Sequence, residues 1–284
     1  MDNYNLVLYC LDDKIFNYIN NKKIKNVKLF KVKNIQNDKF KKTIYNRSWV
    51  EYIWTATPII IDHCLEHYHG DCIYVDSDLY FYENPLSHIN LKSNFDILIT
   101  PHNFSKKYEH LVKYGKYCVQ FIYFKSNLIS KAILNEWSNK CIEWCYAKYE
   151  NGKFGDQKYL EDWPLKYKSK VNVSNHKGYL GPWNIDDYSV VDGKIVYKNN
   201  EIVKPIFYHF HNLNFINNKK VDIGSYKINN QIFEKFYVKY INEAKENFSI
   251  INSHSKINIY KDFRNIKNLL KKYLGLSKNK IVNL

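Results

Sequence analysis

Glycine and proline are scarce in this sequence, nine and six among 284 residues, while asparagine, lysine, isoleucine and tyrosine are plentiful. An AT-rich genome imposes that bias on its proteins, so composition alone carries no functional argument. No apolar run approaches the length that a bilayer-spanning helix needs, which excludes such a helix. The opening residues Met1-Asp2-Asn3-Tyr4 lack the basic start and apolar core of a secretory signal. The chain is therefore expected to be soluble or attached to a surface. It shows no internal repeat and no linker that would divide it into separate domains. The six cysteines (Cys10, Cys64, Cys72, Cys118, Cys141 and Cys145) include no Cys-x-x-Cys pair. Cys141 and Cys145 share one face of a predicted helix, but no further histidine or cysteine pair completes a zinc set. The thiols are read as reduced and buried in a cytosolic protein.

What is present is a globular balance of 45% hydrophobic and 25% charged residues, which argues against disorder. The length suits one large domain, or one domain with a tail. A formal charge of +15 calls for an anionic partner. Nucleic acid, lipid headgroups and a phosphate-bearing substrate all satisfy it, and charge does not choose among them.

Leu6-Val7-Leu8-Tyr9-Cys10 reads as a buried strand running into a polar loop. The apolar positions from Trp49 to about His67 suit a helix interrupted near Pro58. Cys72–Val75, Asp96–Thr100 and Val119–Phe124 read as further strands. Leu128 to Tyr149 predicts a helix with Ile133, Trp137, Cys141, Trp144 and Cys145 on one stripe. Lys194–Tyr197 and Ile206–His209 predict short strands on either side of a polar turn, and Ile232–Lys245 predicts a helix. Strands alternating with helices imply an α/β layered fold with active residues at strand C-terminal ends.

The end of the chain differs in character. Between Lys256 and Lys280 apolar residues recur at helical spacing and eight basic residues face a single acid, Asp262. The division expected is a folded domain over 1–250 and a basic amphipathic tail over 251–284. Such a tail suits an anionic membrane surface, with a helix packed on its own domain as the alternative.

The sharpest local signal is Tyr74-Val75-Asp76-Ser77-Asp78-Leu79-Tyr80-Phe81. Residues two apart on an extended strand point the same way, so Asp76 and Asp78 can converge on one hard cation such as Mg²⁺ or Mn²⁺. Two chemistries use such a pair. Phosphatases with an aspartyl nucleophile need Asp-x-Asp-x-Thr/Val near the N-terminus, and here Tyr80 follows Leu79 well inside the chain. Nucleotide-sugar transfer is the other, in which the cation neutralises the departing diphosphate.

Three blocks then carry a resemblance. The first runs from Trp54-Thr55-Ala56-Thr57-Pro58 to the Asp76-Ser77-Asp78 segment and Asn84-Pro85. The second is Phe154-Gly155-Asp156-Gln157-Lys158-Tyr159-Leu160 with Trp163-Pro164. The third is Gly181-Pro182-Trp183-Asn184 followed by His209-Phe210-His211-Asn212. Over roughly residues 5 to 215 the chain resembles bacterial glycosyltransferases of the GT-A fold. It is similar to family 8, which includes glycogenin and lipopolysaccharide galactosyltransferases. The resemblance implies a Rossmann-like nucleotide-diphospho-sugar transferase, α/β, with a mixed sheet flanked by helices. It further implies a metal-dependent hexosyltransferase that takes a nucleotide-sugar, a UDP-sugar by family expectation, with Mn²⁺ or Mg²⁺ as cofactor.

By the same resemblance His209 completes the metal site with Asp76 and Asp78. The residues alone leave His209 and His211 open, since both point to one side of a strand. Asp156 would bond the sugar hydroxyls, and Gln157 would lie beside the anomeric carbon, consistent with retention. Ser77, Tyr9 and Asp13 join the two metal-site aspartates as nucleotide contacts; Arg47 and Lys14 are candidate phosphate partners, with solvated surface charge the favoured reading for both. The family pattern is broken at three places. Asn212 stands for a glycine, Cys118-Val119-Gln120 stands where Asn-x-Gly is usual, and the Lys-Pro-Trp after the histidine is missing, with Lys219 or Lys220 as substitutes. The acceptor class implied is a glycan or lipid-linked saccharide, in lipopolysaccharide or capsule assembly. The location implied is cytoplasmic, peripheral on the inner face of the plasma membrane through 256–280. Two other readings stand beside this one: a degenerate transferase kept as a binding module, and a basic nucleic-acid-binding protein. No nucleic-acid-binding motif supports the latter.

Overall fold

A computed structural model describes residues 4–89, 93–217, 220–255 and 280–283. The basic run read from Lys256 onward therefore lies, apart from Lys280, outside the described residues. The chain forms two compact units. One comprises Met1–Asp76, Leu91–His102 and His110–Asn175; the other comprises Ser77–Asn90, Asn103–Glu109 and His176–Leu284. The chain enters each unit more than once, so no single stretch carries a linker's composition.

The first unit opens with parallel strands Leu6–Cys10 and Val27–Lys31. The helix between them, Asp13–Lys22, is capped by the Asp12 side chain, which accepts from Ile15 N at 2.8 Å. A four-stranded mixed sheet follows in the order Cys72–Val75, Tyr117–Phe124, Ile97–Pro101, Val171–Val173. Tyr117–Phe124 is antiparallel to both neighbours, and the last pair is parallel. The two central strands are buried along their whole length, as runs that are apolar apart from Thr100 and Gln120 allow.

Two helices pack on this core. Trp49–Tyr68 starts from a capping box between Ser48 and Glu51. The interruption expected at Pro58 does not occur, and the helix runs through it. Proline removes one bond, to the carbonyl of Trp54, and the burial of Ala56, Ile59, Ile61 and Leu65 offsets that loss. The helix Leu128–Glu143 stops well before Tyr149, because Trp144 turns extended at φ −150°. Ile133, Trp137 and Cys141 form the buried stripe as expected, and Cys145 is buried from the loop beyond. All six cysteines are free thiols.

Among the described residues the second unit has three small sheets. In one, Phe207–His209 pairs antiparallel with Leu79–Phe81 and parallel with Tyr179–Leu180. In another, Tyr188–Val191, Lys194–Tyr197 and Glu201–Val203 form an antiparallel meander. Asp192 and Gly193, both at positive φ, make its first turn, the geometry that matches strand twist. The strands predicted at 194–197 and 206–209 thus belong to different sheets rather than to one hairpin. The third sheet sets Lys220–Asp222 between Asn214–Asn217 and Ile281–Asn283. A helical segment begins at Asn230–Ile232, widens to a π turn over Phe233–Tyr237 and continues as Val238–Ser255. Phe236, Tyr237 and Ile241 pack with Tyr208, Phe210 and Val221 in the core of this unit. Among the described residues no helix is long and apolar enough to cross a membrane.

Candidate functional site

Asp76 directly follows the strand Cys72–Val75. Its backbone N–H extends the antiparallel ladder to the Gln120 carbonyl at 3.0 Å. Tyr74, two residues earlier and so on the same side, donates its hydroxyl to Asp76 Oδ1 at 2.9 Å. Burial, then the Asp76 charge, hold the Tyr74 phenol far above its ordinary pKa, so it remains a donor. Nothing in the sequence marked Tyr74 beyond its place in the strand.

Asp156 belongs to the same unit and is buried, at 4% exposure. Desolvation, then the neighbouring Asp76 charge, push its pKa up to about 8. Two carboxylates that share a buried neighbourhood cannot both carry charge cheaply. Gln157 donates Nε2 to the Tyr114 carbonyl at 3.0 Å and packs against Gly115. Gly155, at φ +51°, lies under the Trp54 ring, where an added Cβ would come within 3.2 Å.

The chain passes into the second unit after Asp76. Ser77 is exposed, and Asp78 leads into the strand Leu79–Phe81. The register pairs Leu79 with His209, and Phe210 N bonds the Asp78 carbonyl at 2.9 Å. That pairing brings the His209 Nε2 to 2.9 Å from Asp78 Oδ1. Burial raises the Asp78 pKa, but the His209 hydrogen bond and charge, with His211 behind them, outweigh it and leave it below the ordinary value. His211 lies past the strand end. Burial, then His209, push its pKa down to about 4, so it is neutral at pH 7. The residues left two histidines open, and it is His209 whose ring nitrogen meets Asp78.

Trp183 holds these imidazoles from another side. Its ring is edge-on to His209, with centroids 5.2 Å apart. The turn that places it is closed by Asn184, which accepts from Gly181 N and donates to the Tyr179 carbonyl, both at 3.0 Å. A Cβ at Gly181 would come within 2.8 Å of the Trp183 ring. The sequence signal was the Gly181-Pro182-Trp183-Asn184 block, which was legible without a role.

Residues 3–171, more than half of the chain, match the nucleotide-diphospho-sugar transferase family. The chain belongs to that family. The transferase is 24% identical over 254 residues to the uncharacterized protein YfnD of Bacillus subtilis (strain 168), covering 86% of this chain and 80% of YfnD. It is 28% identical over 218 residues to YfnF of the same organism, uncharacterized too, covering 72% of this chain and 71% of that one. Two solved structures are similar at 11% identity. One is a glycosyltransferase involved in the glycosylation of the major capsid of PBCV-1, with TM-score 0.38, covering 60% of this chain and 74% of that one. The other is mouse xyloside xylosyltransferase 1, with TM-score 0.42, covering 72% and 83%. Family membership makes the chain a nucleotide-sugar glycosyltransferase with a mixed α/β fold, and it displaces the nucleic-acid reading.

Of the remaining candidates of the transferase, Tyr9, Asp13, Arg47 and Gln120 lie in its first unit and Asn212 and Lys220 in its second. Tyr9 bonds His63 Nδ1 at 2.9 Å and stacks on Phe30; burial raises its pKa. Asp13 is exposed and holds Lys31 at 2.8 Å and Lys33 at 2.6 Å. Those lysines, Lys31 first, lower its pKa to about 2. Arg47 is not the solvated charge expected. It is buried, stacks 3.8 Å over the Tyr146 ring and donates to the Ile142 and Glu143 carbonyls, holding the end of the helix Leu128–Glu143. Asn212 sits at φ +63°, a left-handed backbone that asparagine tolerates better than other side chains. Gln120 is buried within its strand. Lys219 lies outside the described residues, and Lys220 begins the strand Lys220–Asp222.

Proposed function

We propose that the transferase moves a hexose from a UDP-sugar to a hydroxyl of a glycan or lipid-linked saccharide, with retention at the anomeric carbon, in the manner of the family 8 enzymes it resembles. Asp76, Asp78 and His209 are the ligands for Mn²⁺ or Mg²⁺ in this reading. The observation that carries it is the 2.9 Å approach of His209 to Asp78, between residues that only strand pairing brings together. The donor set fits: carboxylates suit hard cations, and a neutral imidazole adds a borderline nitrogen. The depressed pKa of Asp78 keeps that carboxylate in the ionised form a ligand needs.

A cation held there supplies positive charge against the diphosphate as the glycosidic bond breaks. The chain's own groups do the rest. The Tyr114 carbonyl can only accept, so the orientation of the Gln157 amide is set by its Nε2 bond. The oxygen end of that amide is then the pole suited to positive charge at the anomeric carbon. Asp156 bonds the sugar hydroxyls, and Ser77, Tyr9 and Asp13 contact the nucleotide. The setting proposed is lipopolysaccharide or capsule assembly at the inner face of the plasma membrane, with 256–280 against anionic lipid.

Thermal shifts with UDP-sugars test the donor and the metal together. Binding to the folded state raises the melting temperature by mass action, so a donor should raise it with Mn²⁺ present and not after EDTA. A shift that survives EDTA unchanged would remove the metal from the reading. Product NMR decides the stereochemistry, and an inverted anomeric bond would remove the role of Gln157.

A further inference from the structure

Lysines and large apolar side chains crowd one short stretch of the first unit. The helix Asp38–Thr43 buries Phe40 and Thr43 and leaves Lys39, Lys41 and Lys42 exposed beside one exposed acid, Asp38, so that the lysines predominate. The turn after it exposes Ile44 by 48% and Tyr45 by 85%, and the next helix begins with Trp49 and Val50, exposed by 37% and 50%. Water-facing apolar clusters of this kind mark interaction surfaces.

The patch is held rigidly from beneath. Trp49 stacks on Tyr52, and Tyr52 stacks on Phe40, with centroids 5.8 and 5.0 Å apart. Glu51 accepts from Ser48 N and from Ala147 N, each at 2.7 Å, which ties the neighbouring loop to the helix start. Glu150 on that loop is engaged by Lys148 at 3.0 Å.

We propose that this face docks on an anionic lipid surface. Tyr45 and Trp49 would sit at headgroup level, where amphipathic rings are favoured. Ile44 and Val50 would enter the acyl boundary, and Lys39, Lys41 and Lys42 would meet headgroup phosphates. Each lysine brought to such a surface strengthens binding by about fivefold before screening. Charge complementarity selects this occupant over a second copy, since a self-complementary pairing would set lysine against lysine. Nucleic acid would match the lysines but leave Ile44 and Val50 without an apolar partner. The inference is independent of the metal reading and of residues 256–280, and it would hold the transferase where a lipid-linked acceptor resides.

The full chain is sedimented with vesicles of phosphatidylcholine alone and of equimolar phosphatidylcholine and phosphatidylglycerol. Tyr45→Ser/Val50→Ser should weaken partition to the anionic vesicles about tenfold. Lys39→Gln/Lys41→Gln/Lys42→Gln should weaken it by about a hundredfold at low salt, with the difference shrinking at high salt. Both variants should keep the melting temperature of the parent and its UDP–Mn²⁺ shift. Brominated lipid should quench the parent more than Trp49→Phe. Parent-like partition of both variants, equal quenching of parent and Trp49→Phe, or loss of a dimer in sedimentation velocity with vesicle binding unchanged would each overturn the proposal.

Discussion

Trp183 stands edge-on to two imidazoles at once, His209 at 5.2 Å and 82° and His211 at 5.7 Å and 69°. Because Trp183 is itself buried at 3% exposure, it leaves the His209 ring little room to turn away from Asp78.

Removing the indole should therefore loosen the proposed metal site as well as the core. Trp183→Ala is expected to cost about 3 kcal/mol of stability, the cost of emptying a large buried aromatic site. It should also weaken Mn²⁺ binding about tenfold, equivalent to 1.4 kcal/mol. Trp183→Phe keeps an aromatic edge and should recover most of the affinity. Urea unfolding and an EPR titration of Mn²⁺ separate the two effects.

Asp78 carries the contact on which the proposed function rests. Asp78→Ala should lower turnover at least about a hundredfold, since metal stabilisation of transition-state charge is worth several kcal/mol. Circular dichroism should show the fold intact, because Asp78 is partly exposed. A folded variant with near-normal donor hydrolysis would dismiss the assignment.

Gly155 combines a left-handed backbone with a close aromatic neighbour. Gly155→Ala should cost about 1–2 kcal/mol in strain. Turnover should fall further than stability requires, since Asp156 and Gln157 follow directly in the chain. The comparison is urea unfolding against initial rates at saturating donor.

Glu136 shapes the acid response. Lys140, then Lys166, hold its pKa at about 2 against an ordinary 4.5. A depressed carboxylate contributes stability that is full above its unfolded value and fades as the pH falls through its folded one. Glu136→Gln should thus lower the melting temperature at neutral pH. It should also flatten its decline between pH 4.5 and 2, as melts across that window would show.

The polar residues at strand ends were legible because burial leaves a local imprint. Cys72–Val75 is an apolar run that ends at Asp76, and Val119–Phe124 is apolar apart from Gln120. The helix from Trp49 was readable for the same reason, while its passage through Pro58 was not. Periodicity records which face is apolar and does not record how much packing offsets one lost bond.

What the sequence determined alone was the set of local choices: the apolar strands, of which Leu6–Cys10 and Cys72–Val75 are only partly buried, the amphipathic helices, and an Asp-x-Asp pair placed where a strand gives out. Only tertiary structure decided that Leu79 pairs with His209, that Trp183 stands against that imidazole, and that Arg47 is buried against the Tyr146 ring. Those meetings join residues far apart in the chain, and chain closure over such distances depends on the packing of everything between them. Hydrophobic period reaches one element at a time; register between strands is settled by the whole fold.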